Sequence, residues 1–129
     1  MSERPMKLLI VEDEENIRNL LMIILDWEKL DIQIVGEAST GAEALDLAEE
    51  LLPDIVLTDI QMPYMDGLEA TKRIRELESD DKRIPIVAMT ANVFDEDIEK
   101  CHEVGMVDHI GKPIDFEILI QKLKHHLKI

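Results

Sequence analysis

Apolar residues in this chain come in short bursts separated by stretches with helical spacing. Leu8-Leu9-Ile10-Val11, Ile32 to Val35, Ile55-Val56-Leu57, Ile86-Val87-Ala88 and His109-Ile110 read as five strands. Between them, Ile17, Leu20, Leu21 and Ile24 give a first helix one apolar face, and Ala44, Leu45, Ala48 and Leu52 give a second that Pro53 stops. Leu68, Thr71, Ile74 and Leu77 define a third helix. Phe94, Ile98 and Cys101 define a fourth ended near Gly105, and Phe116, Ile120, Leu123 and Leu127 a fifth. Strands that alternate with helices form a parallel sheet, and near-continuous apolar strands are expected where both faces are covered. The fold class is therefore α/β: a doubly wound, five-stranded parallel sheet flanked by five helices.

The length of 129 residues suits one domain, 1–129, with its core at about 6–128. Basic residues number 14 and acidic ones 29, so the formal charge is 14 − 29 = −15. That balance argues against binding nucleic acid or anionic lipid and favours cations and basic protein surfaces. The longest apolar run, Leu20 to Leu25, is far shorter than the roughly 20 residues of a membrane helix, so no membrane insertion is expected. The opening Met-Ser-Glu-Arg-Pro-Met has no long apolar core of an export signal, and the lone Cys101 reads as a packed small hydrophobe. Both fit a cytoplasmic protein.

In sheets of this kind ligands bind beyond the carboxyl ends of the strands. Those ends carry Glu12 and Asp13 after the first strand, Asp59 on the third, Thr90 on the fourth, and Gly111-Lys112-Pro113 after the fifth. Singly, each has an ordinary account: Asp13 as a cap for a helix beginning near Glu15, Thr90 as a strand terminus, Lys112 as a solvated cation. Jointly, three acids, a hydroxyl and a lysine on one edge point to a site. Close carboxylates repel unless a cation intervenes, and oxygen ligands without cysteine or histidine favour Mg²⁺ or Mn²⁺. Asp13 and Asp59 are then direct ligands, Glu12 a ligand directly or through water, and the Gln61 carbonyl completes the set. Such a site suits phosphoryl transfer. Asp59 is the candidate nucleophile, Lys112 and Thr90 contact the phosphoryl oxygens, and the Ile60 and Ala91 amides assist.

The motifs Val11-Glu12-Asp13, Asp59-Ile60-Gln61-Met62-Pro63-Tyr64-Met65-Asp66-Gly67, Met89-Thr90-Ala91-Asn92 and Gly111-Lys112-Pro113 resemble, in order and spacing, those of response-regulator receiver domains. The likeness runs from Leu8 to Leu127 and implies the (βα)5, flavodoxin-like receiver fold. It implies that Asp59 takes a phosphoryl group from a phosphohistidine donor, with Glu12 and Asp13 as the acid pair, and Thr90 and Lys112 as switch hydroxyl and lysine. The partner is then a histidine kinase or a histidine-phosphotransfer domain. Such a chain catalyses its own phosphorylation and dephosphorylation and is not a turnover enzyme on an external substrate. Gln61 and Asn92 occupy the positions where the family tunes phosphoryl lifetime, and neither is acidic. The resemblance also implies a cis Lys112-Pro113 bond. Where receivers often carry Tyr or Phe as a second switch residue, this chain has His109. The stretch from Met89 to Asp115 is most similar to receivers of hybrid sensor histidine kinases.

Other classes fit less well. A phosphatase with an aspartate nucleophile needs a second aspartate two residues on, where Gln61 stands. A flavin or dinucleotide binder needs a glycine-rich turn where Val11-Glu12-Asp13-Glu14-Glu15 would repel phosphate. A domain used only for docking has no need of the intact acid set. His125 and His126 read as solvated, the Glu76 to Arg83 run as a solvated helix end and loop, and Asp66-Gly67 as the start of the third helix.

Overall fold

The computed structural model describes residues 5–60, 66–78, 83–90 and 95–129, with the backbone alone for 95–97. The elements are β1 Met6–Val11, α1 Glu15–Ile24, β2 Ile32–Ala38, α2 Gly41–Leu51 and β3 Ile55–Asp59. They continue with α3 Gly67–Leu77, β4 Ile86–Thr90, α4 Asp95–Glu103, β5 Asp108–Gly111 and α5 Phe116–Leu127. All strand pairs are parallel, in the order β2-β1-β3-β4-β5. The expected five-and-five alternation is present. The order reverses at β1, which places the crevice for a ligand at the carboxyl ends of β1 and β3.

The period-two alternation of a strand divides the core between the two faces of the sheet. Leu8, Ile10, Ile55, Leu57, Val87 and Met89 point one way and pack with Leu21, Trp27, Leu119, Leu123 and Leu127, from α1, the turn after it, and α5. Leu9, Val11, Val56, Ile86 and Ala88 point the other way and pack with Ala44, Ala48, Ile74 and Cys101 of α2, α3 and α4. The third and fourth strands are buried along their whole length. Cys101 is buried, as its reading as a small hydrophobe requires.

Local chemistry sets the helix starts. Thr40 caps α2 by accepting from the Glu43 amide, Asp66 caps α3 by accepting from the Glu69 amide, and Asp115 caps α5 by accepting from the Glu117 and Ile118 amides. Asp66-Gly67 thus begins the third helix as expected. Helix α1 differs: its cap residue is Glu14, whose side chain makes no capping bond, and no side chain among the described residues bonds its first amides. Asp13 is not a cap.

Three expectations are corrected. The first concerns the apolar stripe of α1, which is wider than its buried face. Leu21 is buried and Ile17 packs at the edge of the core, but Leu20 and Ile24 are 43% and 48% exposed. Second, His126 is not solvated: it is half-buried and its Nε2 lies 2.9 Å from Asp108 Oδ2. Lys122 Nζ reaches the same carboxylate at 2.8 Å and donates to the His109 carbonyl, so α5 is tied to β5 by a polar cluster. His125, its neighbour, is exposed as expected. Third, the run from Glu76 is only partly solvated. Glu78 is largely buried, accepts both contacts from Arg75 Nη1 at 2.9 Å, and receives the Ile84 amide.

Burial alone would raise the pKa of Asp108, but hydrogen bonds from Lys122, His126 and the His109 amide outweigh it and bring the carboxyl down to about 2. A depressed acid stabilises the fold above its unfolded value, and the gain is lost as pH falls through the folded one. Asp108→Asn should therefore lower stability at pH 7 by about 1–2 kcal/mol, with the difference from the parent narrowing between about pH 4 and pH 2. Urea unfolding at several pH values measures it. A gap that does not change with pH would remove the ionised carboxylate as its cause.

Candidate active site

The carboxyl ends of β1 and β3 bring three acids together. Glu12, fully buried, follows β1; Asp13 is next along the chain and opens to solvent; Asp59 is the last residue of β3 and is buried. Carboxylate oxygens of all three lie within 4.8 Å of one another. From the far side of β4, Lys112 extends its Nζ to 2.8 Å from Glu12 Oε1 and 3.3 Å from Asp59 Oδ2. The peptide bond from Lys112 to Pro113 is cis, in agreement with the expectation.

The backbone around these groups is tied on every side. Glu12 donates its amide to the Ala38 carbonyl at 2.9 Å, and its own carbonyl accepts Arg18 Nη1 at 2.6 Å. The Lys112 amide donates to the Thr90 carbonyl at 2.8 Å, coupling the ends of β4 and β5, and Thr90 itself is buried. Ile60 is buried beside Asp59, and its carbonyl accepts the Gly67 amide at 3.2 Å. Gly67 sits so close that a Cβ there would lie 2.3 Å from the Asp59 carbonyl oxygen. Only glycine permits that approach, which explains why the residue opening α3 is small. His109 lies half-buried on β5, three residues before Lys112. Gln61, Ala91 and Asn92, expected to bind a metal, hold phosphoryl oxygens and set lifetime, lie outside the described residues.

The electrostatics follow from crowding. Burial first, and then the neighbouring carboxyl of Asp59, push Glu12 up to about 8 against the pull of Lys112. Lys112 loses solvation, which alone would lower its pKa, but its contacts with Glu12 and Asp59 more than compensate and raise it. Glu12 Oε2 is buried and finds no donor among the described residues. An orphaned buried oxygen, two neighbouring carboxylates and a water-facing opening at Asp13 fit a hard divalent cation, whose charge would remove the repulsion and occupy the unfilled acceptor. The acidic cluster can therefore hold a metal ion.

Of the described residues assigned to the site from sequence, Glu12, Asp13, Asp59, Ile60, Thr90 and Lys112 are found at this edge of the sheet, with the Ile60 amide donating to the Met89 carbonyl at 3.4 Å, while His109 lies within β5 and Pro113 follows Lys112. Arg18 was missed. It lies six residues from Glu12, a spacing with no motif to mark it, and an arginine on an amphipathic helix reads as surface charge.

Two outcomes test this geometry. In the unfolded chain Glu12 titrates near 4.5, so between that pH and about 8 folding retains a proton that unfolding releases, and stability falls as pH rises. With divalent ions removed, the parent should lose up to a few kcal/mol between pH 5 and pH 9, and Glu12→Gln should flatten that slope. Equal slopes in denaturant titrations would show that Glu12 is not the group responsible. Gly67→Ala should destabilise the fold by about 2 kcal/mol or more, because the clashing partner is backbone that cannot swing aside. Unchanged thermal unfolding would contradict that packing.

Comparison with known proteins agrees with the geometry. The family described as the response regulator receiver domain matches residues 8–124. Over 91% of its length the chain is 40% identical to hybrid signal transduction histidine kinase I of Dictyostelium discoideum, of which it spans 7%. Over 95% it is 35% identical to the CAI-1 autoinducer sensor kinase/phosphatase CqsS of Vibrio cholerae, of which it spans 17%. Among solved structures, it superposes with a TM-score of 0.83 on the receiver domain of a sensor histidine kinase from Pseudomonas aeruginosa. That structure has a magnesium ion coordinated in its active-site cleft; the two are 30% identical, and the match covers 97% of this chain and 99% of that one. With the expected fold, the acid cluster at the β1–β3 crevice and a family match over nearly its whole length, the chain belongs to the response regulator receiver domains of two-component signalling.

Proposed function

We propose that this chain is a phosphoacceptor: Asp59 takes a phosphoryl group from a phosphohistidine on a histidine kinase or a histidine-phosphotransfer domain, in a reaction dependent on Mg²⁺ or Mn²⁺. The observation that carries the reading is the set of three carboxylates within 4.8 Å of one another, with Lys112 spanning two of them. Asp13 and Asp59 are the direct ligands in this proposal, with Glu12 acting directly or through water. When bound, the cation supplies positive charge against the carboxylates and the phosphoryl oxygens.

Asp59 ends a fully buried strand, with Thr58 Oγ1 donating to its carbonyl at 2.9 Å and Gly67 packed against its backbone. Its carboxylate is thereby presented in a fixed position. One carboxylate oxygen attacks phosphorus as the phosphorus–nitrogen bond to the donor imidazole breaks, and the imidazole keeps the bonding pair and gains a proton. Lys112 Nζ, already 3.3 Å from Asp59, moves its donors onto the new phosphoryl oxygens, and the Thr90 hydroxyl approaches from the end of β4. Because the Lys112 amide is bonded to the Thr90 carbonyl, a shift of either is passed to the other and so to α4, β5 and α5, the surface proposed to switch. His109, on that strand, is the proposed second switch residue. The domain acts once on itself and does not turn over an external substrate.

No helix among the described residues is long and apolar enough to cross a membrane, and a cytoplasmic site of action is part of this proposal. The test is intact mass after incubation with acetyl phosphate. A gain of one phosphoryl group is expected with Mg²⁺, and none with EDTA or with Asp59→Asn; labelling of the Asp59 variant would refute the assignment. Lys112→Ala should still accept the group yet lose the gain in partner affinity that labelling brings to the parent. An equal gain in both would remove Lys112 from the switch.

A further inference from the structure

We infer that Arg18 is a positioning residue for the acid pair: by holding the Glu12 carbonyl it fixes the peptide that carries Asp13, and so sets the affinity of the site for a divalent cation. The inference rests on the phosphoacceptor reading above.

The turn between β1 and α1 has to aim two consecutive acids, one into the core and one toward solvent. Helix starts that follow such turns are usually anchored by a capping side chain, as α2, α3 and α5 are. Helix α1 has none. In its place, Arg18 reaches back from the second turn of α1 and donates Nη1 to the Glu12 carbonyl at 2.6 Å, while its Nε faces Glu37 Oε1 of β2 at 3.6 Å. On the other side, the Glu12 amide donates to the Ala38 carbonyl at 2.9 Å. The bond from the Glu12 carbonyl to the Asp13 amide is a rigid plane, so fixing the oxygen fixes the amide and the Cα of Asp13. The planar guanidinium can serve carbonyl and carboxylate together, which a lysine ammonium on its flexible stem does poorly. Arg18 is only 18% exposed, so the contact is shielded from competing water.

The direction of the effect separates positioning from simple charge. Removing a cation near three carboxylates makes the site more negative, and by Coulomb attraction alone Mg²⁺ would then bind more tightly. Loss of positioning has the opposite sign. Loss of an outer contact to a metal site typically lowers affinity 10–100-fold, and Arg18 acts through one peptide, so a weakening of roughly tenfold is expected for Arg18→Met.

Calorimetric titration of the full chain with Mg²⁺ alone, without a phosphodonor, gives the first readout; the rate of acetyl phosphate labelling against Mg²⁺ concentration gives the second. In Arg18→Met the Kd for Mg²⁺ should rise about tenfold, and the labelling rate at saturating Mg²⁺ should return to within about twofold of the parent, since Arg18 touches no reacting atom. Arg18→Lys, which keeps the charge and one donor, should fall between the two and serves if the methionine variant fails to fold. Unchanged or tighter Mg²⁺ binding in folded variants, beside a parent that binds and is labelled, overturns the role of Arg18. A parent that neither binds Mg²⁺ nor is labelled overturns the phosphoacceptor reading itself.

Discussion

Glu12 and Asp59 are carboxylates close together in a buried place, and they cannot both carry charge without a neighbouring cation. Much of the molecule is arranged around that constraint. Water cannot screen the pair, because Glu12 is fully buried and Asp59 nearly so. Lys112 relieves part of the repulsion from β5, a hundred residues along the chain from Glu12. It does not relieve all of it, as the raised pKa of Glu12 and an oxygen with no partner among the described residues show. The remaining deficit of positive charge leaves the acid cluster able to hold a metal ion.

Holding mutually repelling groups in place requires rigid supports, and the parallel sheet provides them. β1 and β3 are adjacent, so their carboxyl ends deliver Glu12, Asp13 and Asp59 to one crevice, and β4 and β5 deliver Thr90 and Lys112 beside it. Packing on both faces of the sheet fixes the strands, and backbone contacts fix their ends: the Ala38 carbonyl and Arg18 at Glu12, Gly67 at Asp59, the Thr90 carbonyl at Lys112. On the opposite flank, Asp108, Lys122 and His126 tie β5 to α5. The strand that leads into Lys112 is thus held at its beginning by a polar cluster and at its end by the site.

Much of this was legible from the chain alone. The apolar bursts and the 3.6-residue spacings specified five strands, five helices and their parallel arrangement, because burial on both faces of a sheet leaves a local imprint. Chemistry at strand ends was legible for the same reason: Glu12, Asp13, Asp59, Thr90 and Lys112 follow apolar runs directly, and a parallel sheet sends all such ends to one edge.

Tertiary structure decided what depends on partners distant in sequence. An apolar stripe on α1 does not say which residues face the sheet, and only packing showed that Leu21 is buried while Leu20 and Ile24 remain exposed. His126 looked solvated until α5 was laid against Asp108, and Lys112 was expected at phosphoryl oxygens before its contact with Glu12 was visible. Arg18 gave no local sign of its contact with the Glu12 carbonyl. The sequence by itself determined the elements, their class and the residues gathered at one edge, because periodicity and strand ends are local properties. The pairings, the charge states and the supports of the site arise from three-dimensional proximity and burial, which no local pattern encodes.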